Sequence, residues 1–297
     1  MEKLTVERLK QANEIVKKIK LPVQPKIVID INRETSSGEP NFQAISSLIG
    51  KDAGLTAKLL HVINSPFFGV SKEVTNITQA LSLMGMDNFK KVILTTCLRE
   101  AIGQTDKNDQ AFWDHSLRTA VAAEKIAQAV SALLVVDDVT PDHAYITGLF
   151  HDSSIPVIIR KEPTYGSIAQ LTLSHKPNMV TSEEDITGTD HCSIGAMLAK
   201  SWSLSTSVCK AILHHHVNDY ASIQGDNPPY KLLAVVQLAD YIAYTYDYSV
   251  GGVGSFIEQD WDTYEWAHYH KNTMDELDLT EQEVNELKLH IYDILGE

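Results

Sequence analysis

Apolar residues recur every three or four positions along most of the chain, which is the spacing of one face of an α-helix. The first such run lies between Val6 and Ile19, and later runs cover 42–49, 55–63, 115–130, 144–159, 191–202, 208–216 and 231–244. A break or kink is expected at Pro156, because proline interrupts a helix interior. Strand signals are weak. The pattern therefore predicts an all-α protein.

Segments at 36–40, 222–229 and 251–254 are predicted to be loops from their Gly, Pro and polar residues. Segment 130–142 is also predicted to be a loop, because it loses the helical period and contains Pro141. Thr280 and Glu283 form a candidate capping box before a final helix. That helix has an apolar face made of Val284, Leu287, Ile291 and Ile294. We predict an N-terminal helical subdomain at 1–105, a second helical subdomain at 106–245, and an acidic helical extension at 246–297.

The composition indicates a cytoplasmic protein with no membrane association. No apolar run approaches the roughly 20 residues that a membrane span needs, and the N-terminus lacks a signal-peptide core. Cys97, Cys192 and Cys209 are too few and too scattered for a disulfide framework or a thiolate zinc site. We expect them to be small buried residues.

The net charge of −14 is unevenly distributed. Segment 255–297 holds twelve acidic and two basic residues, which leaves −4 for the rest of the chain. An acidic chain repels the phosphate backbone, so bulk nucleic-acid binding is excluded as a function. The acidic segment is either a solvated helix face or a surface that binds a basic partner.

Histidine and aspartate residues that suit a metal site are concentrated in the second half of the chain. They are His115, His151, Asp152, His191, His214, His215, His216 and Asp240. Neutral imidazoles together with carboxylates bind divalent ions such as Mn, Fe, Ni or Zn. Helix bundles build such centres from side chains on several helices. Any one histidine taken alone is more often an ordinary buried residue.

The order of His115, the pair His151-Asp152 and then Asp240 resembles the HD superfamily of metal-dependent phosphohydrolases. The resemblance implies that these four residues hold a metal ion. His191 and the pair His215-His216 resemble the additional histidines of HD-GYP phosphodiesterases. They would hold a second ion, which leaves His214 as a surplus residue. In an enzyme of this type, Asp152 would be the catalytic residue that bridges or orients a metal-activated water.

The N-terminal half resembles the HDOD family, a divergent branch of the same superfamily. The similar segments are 52–60, 62–69 and 77–86, and Asn64, Ser65 and Gly69 belong to the most specific of them. The resemblance covers 21–216, with Asp240 as an outlying match. It implies a multi-helix HDOD/HD-domain bundle that acts in bacterial signal transduction.

The chain departs from the HD-GYP enzymes at three places. Ile155 stands where those enzymes have a lysine, 217–220 replaces their Gly-Tyr-Pro motif, and Ala111 stands where some have an acidic ligand. An isoleucine cannot polarise a phosphate. The departures therefore weaken the expectation of phosphoryl chemistry, and whether the protein is an enzyme stays open.

Two functions follow from the sequence. The first is a signalling module that binds a protein partner or a small ligand, for instance a nucleotide, either with one or two retained metal ions or with none. Its binding surface would use Phe67, Phe68, Trp113 and Trp202, which otherwise belong to the core. The second is a metal-dependent phosphohydrolase that acts on a nucleotide or a cyclic dinucleotide.

Overall fold

The structure is a computed structural model of the chain. It describes residues 2–35, 41–64, 70, 72–103, 109–134, 139–161, 179–223, 228–250 and 266–296. Every regular element in those ranges is helical, so the predicted all-α fold is confirmed. No helix among the described residues is long and apolar enough to cross a membrane.

The chain divides into two compact units, Met1–Leu21 with Thr105–Asp293 and Pro22–Gln104 with Ile294–Glu297. The helices of the Pro22–Gln104 unit are α2 (Lys26–Thr35), α3 (Phe42–Ile49), α4 (Ala53–Ile63) and α5 (Ile77–Ile102). The others are α1 (Glu2–Ile19), α6 (Asp109–Ala129), α7 (Ser131–Leu134), α8 (Pro141–Phe150), α9 (Ile155–Lys161), α10 (Met179–Thr187), α11 (His191–Ser201), α12 (Thr206–His214), α13 (Tyr230–Ser249), α14 (Trp266–Leu277) and α15 (Glu281–Gly296). The division into three subdomains with boundaries at 105 and 245 stays a prediction.

Short polar side chains start the helices of the Pro22–Gln104 unit. Asn41, Asp52 and Asn76 each accept a backbone N–H of the first turn, at 2.9 to 3.0 Å. Such caps satisfy N–H groups that have no partner within the helix. At the end of α4, the Asn64 amide donates to the carbonyls of Leu60 and Val74 and accepts from the N–H of Val74. Asn64 therefore fastens the segment that follows α4 back onto the helix end.

Helices α6 and α8 approach closely because Gly148 has no side chain. A Cβ at this position would lie 2.8 Å from the carbonyl oxygen of Thr119 and 2.9 Å from the Cα of Ala120. The predicted apolar run at 115–130 is buried here, with the small side chains of Ala120, Ala123 and Ala127 inaccessible to solvent. This approach brings the end of α8 beside the first half of α6, where the candidate metal centre lies.

Two predicted boundaries around α8 were wrong. The predicted loop at 130–142 contains the short helix α7, and α8 already begins at Pro141. Thr140 caps α8, and proline is tolerated there because the first-turn N–H has no helical partner. The helix break expected at Pro156 lies earlier, in the turn 151–154, and Pro156 occupies the first turn of α9. His151 and Asp152 therefore lie in a turn and not in a continuous helix.

The capping box before the last helix is confirmed. The carboxylate of Glu283 accepts from the backbone N–H of Thr280 at 2.8 Å, and the hydroxyl of Thr280 accepts from the N–H of Glu283 at 3.3 Å. The predicted apolar face is buried at Val284 and Ile291.

Four aromatic residues were predicted either to line a binding surface or to belong to the core. Trp202 is fully buried, with its ring edge against Phe150 at 5.5 Å between centroids, and Trp113 is 4% exposed. Both are core residues, so the surface interpretation was wrong for these two. Phe67 and Phe68 lie outside the described residues, as do the predicted loops at 36–40 and 251–254.

Candidate metal centre

A first cluster joins His115 of α6, His151 of the turn after α8, and Asp240 of α13. The ligand atoms of these three side chains lie within 4.8 Å of one another. Nε2 of His115 is 2.9 Å from Oδ1 of Asp240, and Nε2 of His151 is 3.7 Å from the same oxygen. All three side chains are buried.

A second cluster joins His191, the first residue of α11, with His215 and His216, which follow α12 directly. Nε2 of His191 is 3.3 Å from Nε2 of His215 and 3.0 Å from Nε2 of His216. Cys192 belongs to the same group, with its sulfur 3.5 Å from Nε2 of His191. His214 is in neither cluster.

Asp152 lies between the two clusters. Its Oδ2 is 3.3 Å from Nε2 of His151, and its Oδ1 is 3.3 Å from Nε2 of both His191 and His215. Although these distances are short, neither Oδ1 of Asp152 nor Nε2 of His151 makes a hydrogen bond, and both atoms are buried. Buried polar atoms without hydrogen bonds are uncommon and indicate a missing ion or water. The structure thus brings together all seven predicted ligands.

Each of four histidines has an acceptor at Nδ1. The acceptors are the carbonyls of Gly148 for His151 and Ile212 for His215, each at 2.7 Å, and the carboxylates of Asp247 for His115 at 2.9 Å and Glu183 for His191 at 2.7 Å. An acceptor at Nδ1 holds the proton of a neutral ring there and leaves the lone pair on Nε2. Metal-bound histidines have this arrangement, in which the outer partner fixes the ring and increases its basicity.

Two of these outer partners were missed by the sequence analysis. Asp247 follows Asp240 by seven residues, which is two helical turns and the same face of α13. That spacing is a signal that would have found it. Glu183 is fully buried in α10, and it also accepts the backbone N–H of His191 at 2.8 Å. A turn of unpredictable shape separates it from His191, so no sequence spacing points to it.

The electrostatics of the first cluster favour positive charge. Burial lowers the pKa of His115, but the hydrogen bonds to Asp240 and Asp247 outweigh burial and raise this pKa to about 10. Burial raises the pKa of Asp152, but the neighbouring His151, His191 and His215 outweigh it and hold this pKa well below its usual value. Arg118 also donates to Asp247. Ionised carboxylates in a buried site are stable only beside cations.

The second cluster contains groups with opposite tendencies. Burial and the neighbouring His216 lower the pKa of His215 to about 4, so its ring is neutral. For His191, burial is outweighed by the nearby Cys192 and Glu183, and the pKa is raised. Burial raises the pKa of the Cys192 thiol to about 12. Metal binding here would displace protons, which makes affinity pH-dependent.

Two hydrogen bonds near the clusters fix the start of α11 and the turn that carries His151 and Asp152. The carboxylate of Asp190 accepts the N–H of Ser193 at 2.7 Å and so starts α11 at His191. Ser154, in the turn that carries His151 and Asp152, donates to the carbonyl of His191 at 2.7 Å. This bond ties the turn directly to the start of α11.

The buried amide of Gln237 holds the segment after α12. Its nitrogen donates to the carbonyls of His215 and Val217, each at 3.0 Å. Its oxygen accepts from the hydroxyls of Tyr220 at 2.7 Å and Thr273 at 3.0 Å. All the hydrogen-bonding capacity of the amide is therefore used, and His215 is connected through Gln237 to helix α14.

Several solved structures share this fold. A crystal structure of an HDOD domain protein with unknown function from Geobacter sulfurreducens matches with a TM-score of 0.63 and 26% identity, over 97% of this chain and 98% of that one. A structure named "Putative phosphohydrolase" from Shewanella amazonensis matches with a TM-score of 0.66 and 20% identity, over 94% of this chain and 95% of that one. The second likeness is one of fold.

A curated relative and a family model match the sequence itself. An uncharacterised protein of Treponema pallidum (strain Nichols) is 26% identical over 199 residues, or 66% of this chain. The match covers only 37% of that protein's own length. The model of the HDOD domain matches residues 21–218, which is about two thirds of the chain. The chain therefore belongs to the HDOD family.

Proposed function

We propose that this protein is a signalling module that holds one or two divalent transition-metal ions in its buried centre and acts by binding a partner protein or a small ligand. One observation carries the proposal. Four histidines with acceptors at Nδ1 direct Nε2 towards the two clusters, and between them lies an Asp152 oxygen that has no hydrogen bond. A divalent ion would displace the protons from these nitrogens and supply positive charge to balance the buried carboxylates, whereas water supplies no charge.

The first ion would be held by His115, His151 and Asp240, and the second by His191, His215 and His216. Asp152 faces both positions, one oxygen towards each. Imidazole and carboxylate donors suit Fe, Mn, Ni or Zn. The role of 246–297, the identity of the partner and the cytoplasmic location stay predictions.

The burial of the centre supports a non-catalytic binding module over an enzyme that turns over a phosphate ester. The side chains of the two clusters are buried except that of His216, which is partly exposed. Ile155, at the place of the enzymatic lysine, is also buried at 1% exposure and belongs to the core. Tyr220, near the place of the missing Gly-Tyr-Pro motif, uses its hydroxyl to hold Gln237. These positions serve packing in this chain and supply no cation for a phosphate.

A metal-dependent phosphohydrolase acting on a nucleotide or cyclic dinucleotide is the second candidate. The observation that favours it is the position of Asp152 between the two clusters, since a carboxylate shared by two ions is a feature of two-metal hydrolytic sites. A bound divalent ion would lower the pKa of a coordinated water towards neutrality. Asp152 would orient that water by accepting its hydrogen bond.

Elemental analysis of untagged protein purified without chelators tests the proposal. We expect about one to two Fe, Mn, Ni or Zn ions per chain, in line with the two ligand groups, and their loss in Asp152→Asn. Asp87→Asn is the matched control, because Asp87 is an exposed aspartate of the Pro22–Gln104 unit. Protein that stays metal-free after incubation with these ions would contradict the proposal. Metal-dependent cleavage of a phosphodiester, absent in Asp152→Asn, would favour the second candidate.

A further inference from the structure

Cys192 belongs to the second cluster, although it was predicted only to be a small buried residue. It follows His191 at the start of α11, where the Asp190 cap fixes the first helical turn. Its sulfur is 3.5 Å from Nε2 of His191, and the ligand atoms of His191, Cys192, His215 and His216 all lie within 4.8 Å of one another. Cys192 is 3% exposed, so its sulfur is not a surface group.

The three separations measured from Nε2 of His191 agree with edges of a zinc tetrahedron. Zinc–nitrogen bonds of about 2.05 Å and a zinc–sulfur bond of about 2.3 Å place neighbouring nitrogens about 3.3 Å apart, and nitrogen and sulfur about 3.6 Å apart. The observed separations from Nε2 of His191 are 3.3 Å to His215, 3.0 Å to His216 and 3.5 Å to the sulfur of Cys192.

Two features of the second cluster indicate a cation beside Cys192. Glu183 and the carbonyl of Ile212 accept hydrogen bonds from Nδ1 of His191 and His215, which leaves the two Nε2 atoms directed at each other, 3.3 Å apart. The Asp152 oxygen that lies 3.3 Å from both rings has no hydrogen bond. Two imidazole nitrogens and a carboxylate oxygen gathered so closely need a positive charge among them, which either a proton or a metal ion supplies. An ion at this point is also within reach of the Cys192 sulfur.

We propose that Cys192 is a thiolate ligand of the second ion, so that His191, Cys192, His215 and His216 form a mixed sulfur–nitrogen site for zinc. The inference rests on the proposed function, since it concerns the second of the two ion positions. On binding, the thiol loses its proton to solvent and the sulfur forms a bond to the ion, with no change of oxidation state. Thiolate and imidazole donors in tetrahedral arrangement select zinc over Mn, which prefers oxygen ligands.

His191, Cys192, His215 and His216 would complete a tetrahedral zinc shell, and the nearby Asp152 would then balance the charge of this ion without being one of its ligands. Structural zinc sites are closed in this way, whereas catalytic sites keep one position for water. The second ion would therefore stabilise the junction of α11 with the segment after α12, and a coordinated nucleophile would have no place on it.

Cobalt substitution tests this assignment, because Co²⁺ bound to a thiolate shows a sulfur-to-metal charge-transfer band in the near ultraviolet. We expect the band in the full-length wild-type protein loaded with Co²⁺. Cys192→Ser should lose the band and bind zinc at least about ten-fold more weakly, as expected for the loss of one of four ligands. Cys97→Ser, which changes another buried cysteine in the Pro22–Gln104 unit, should keep the band.

The possible results separate this inference from the proposed function. Wild-type protein that takes up Co²⁺ without a charge-transfer band would overturn the role of Cys192 and leave the metal centre intact. A band that persists in Cys192→Ser would do the same. Wild-type protein that takes up neither Co²⁺ nor Zn²⁺ would overturn both. The wild-type spectrum decides even if Cys192→Ser does not fold, and Cys192→Ala provides a second variant.

Discussion

Glu183 accepts hydrogen bonds from both Nδ1 and the backbone N–H of His191, at 2.7 and 2.8 Å. One buried carboxylate therefore fixes the ring orientation of His191, a candidate metal ligand, and also the first residue of the helix that carries it. The Asp247–His115 contact at 2.9 Å is the corresponding arrangement in the first cluster. Both clusters thus contain a histidine whose outer nitrogen is held by a carboxylate, which increases the basicity of Nε2.

Glu183→Gln should lower the affinity for the second ion about 10- to 100-fold. This is the usual effect of removing a carboxylate that accepts a hydrogen bond from a metal-bound histidine. The amide oxygen still accepts one hydrogen bond but carries no negative charge. Competition titration with a chromophoric zinc chelator measures the change. Asp185→Asn removes the same charge from an exposed position on the same helix and should bind zinc as the wild type does. Equal affinities for all three proteins would show that Glu183 does not act through His191.

Gly148→Ala should destabilise the protein by roughly 1 to 3 kcal/mol, because the added methyl group has no room against the backbone of α6. Moving α8 away from α6 also separates His151 from His115, so metal content should fall. Urea unfolding of the chelator-treated protein measures the first effect, and elemental analysis the second.

Gly54→Ala is the control for this substitution. Gly54 lies in α4 and its Cβ would meet only the side-chain oxygen of Asp52, at 3.3 Å. Alanine is about 1 kcal/mol better than glycine inside a helix, so this variant should be as stable as the wild type or more so. The close approach of α6 and α8 would be disproved by a Gly148→Ala protein with an unchanged urea midpoint.

Gln237→Met should lower the affinity for the second ion and leave the affinity for the first ion unchanged. Methionine has a similar volume but leaves the carbonyls of His215 and Val217 and two hydroxyl groups without their buried partner. Each buried polar group left unsatisfied costs about 1 to 3 kcal/mol. A two-site zinc titration separates the ions, and Gln282→Met, on the exposed face of α15, serves as the control. Equal loss at both sites would indicate general unfolding and not a local effect on His215.

Thr280→Ala should lower the free energy of unfolding by about 0.5 to 2 kcal/mol through loss of the α15 cap, and it should not change metal content. Thr280→Ser keeps the hydroxyl and should restore most of the lost stability. Urea unfolding and elemental analysis of the two variants give both answers. A metal content that falls with Thr280→Ala would show that α15 is coupled to the centre.

Sequence periodicity predicted the helices that have a clear apolar face and a visible cap, as at His191 and Thr280. It missed α2 and α5, which lie outside the apolar runs that the spacing identified. Motif order predicted seven ligands whose side chains the fold brings together, and their metal binding stays a prediction. Cys192 was not recognised, since its proximity to His216 arises only when the end of α12 packs against the start of α11.

Glu183 and Asp247 also became apparent only in the folded structure. The spacing of two residues in the sequence predicts that they lie at one site only when both are on one face of the same helix. Asp240 and Asp247 satisfy that condition and Glu183 does not. Sequence motifs therefore indicated the candidate ligands, and the tertiary structure was needed to find the side chains that orient them.

The two clusters differ in the length of chain that each one closes. His115 and Asp240 are 125 positions apart, whereas His191 and His215 are 24 apart. The entropy of closing a flexible loop grows with the logarithm of its length, so the first cluster costs about 1.4 kcal/mol more to assemble from an unfolded chain than the second. An ion bound early during folding would therefore engage the His191–His215 pair first. The first ion would be acquired only once α6, α8 and α13 have already packed, which makes its uptake a late step in maturation of the protein.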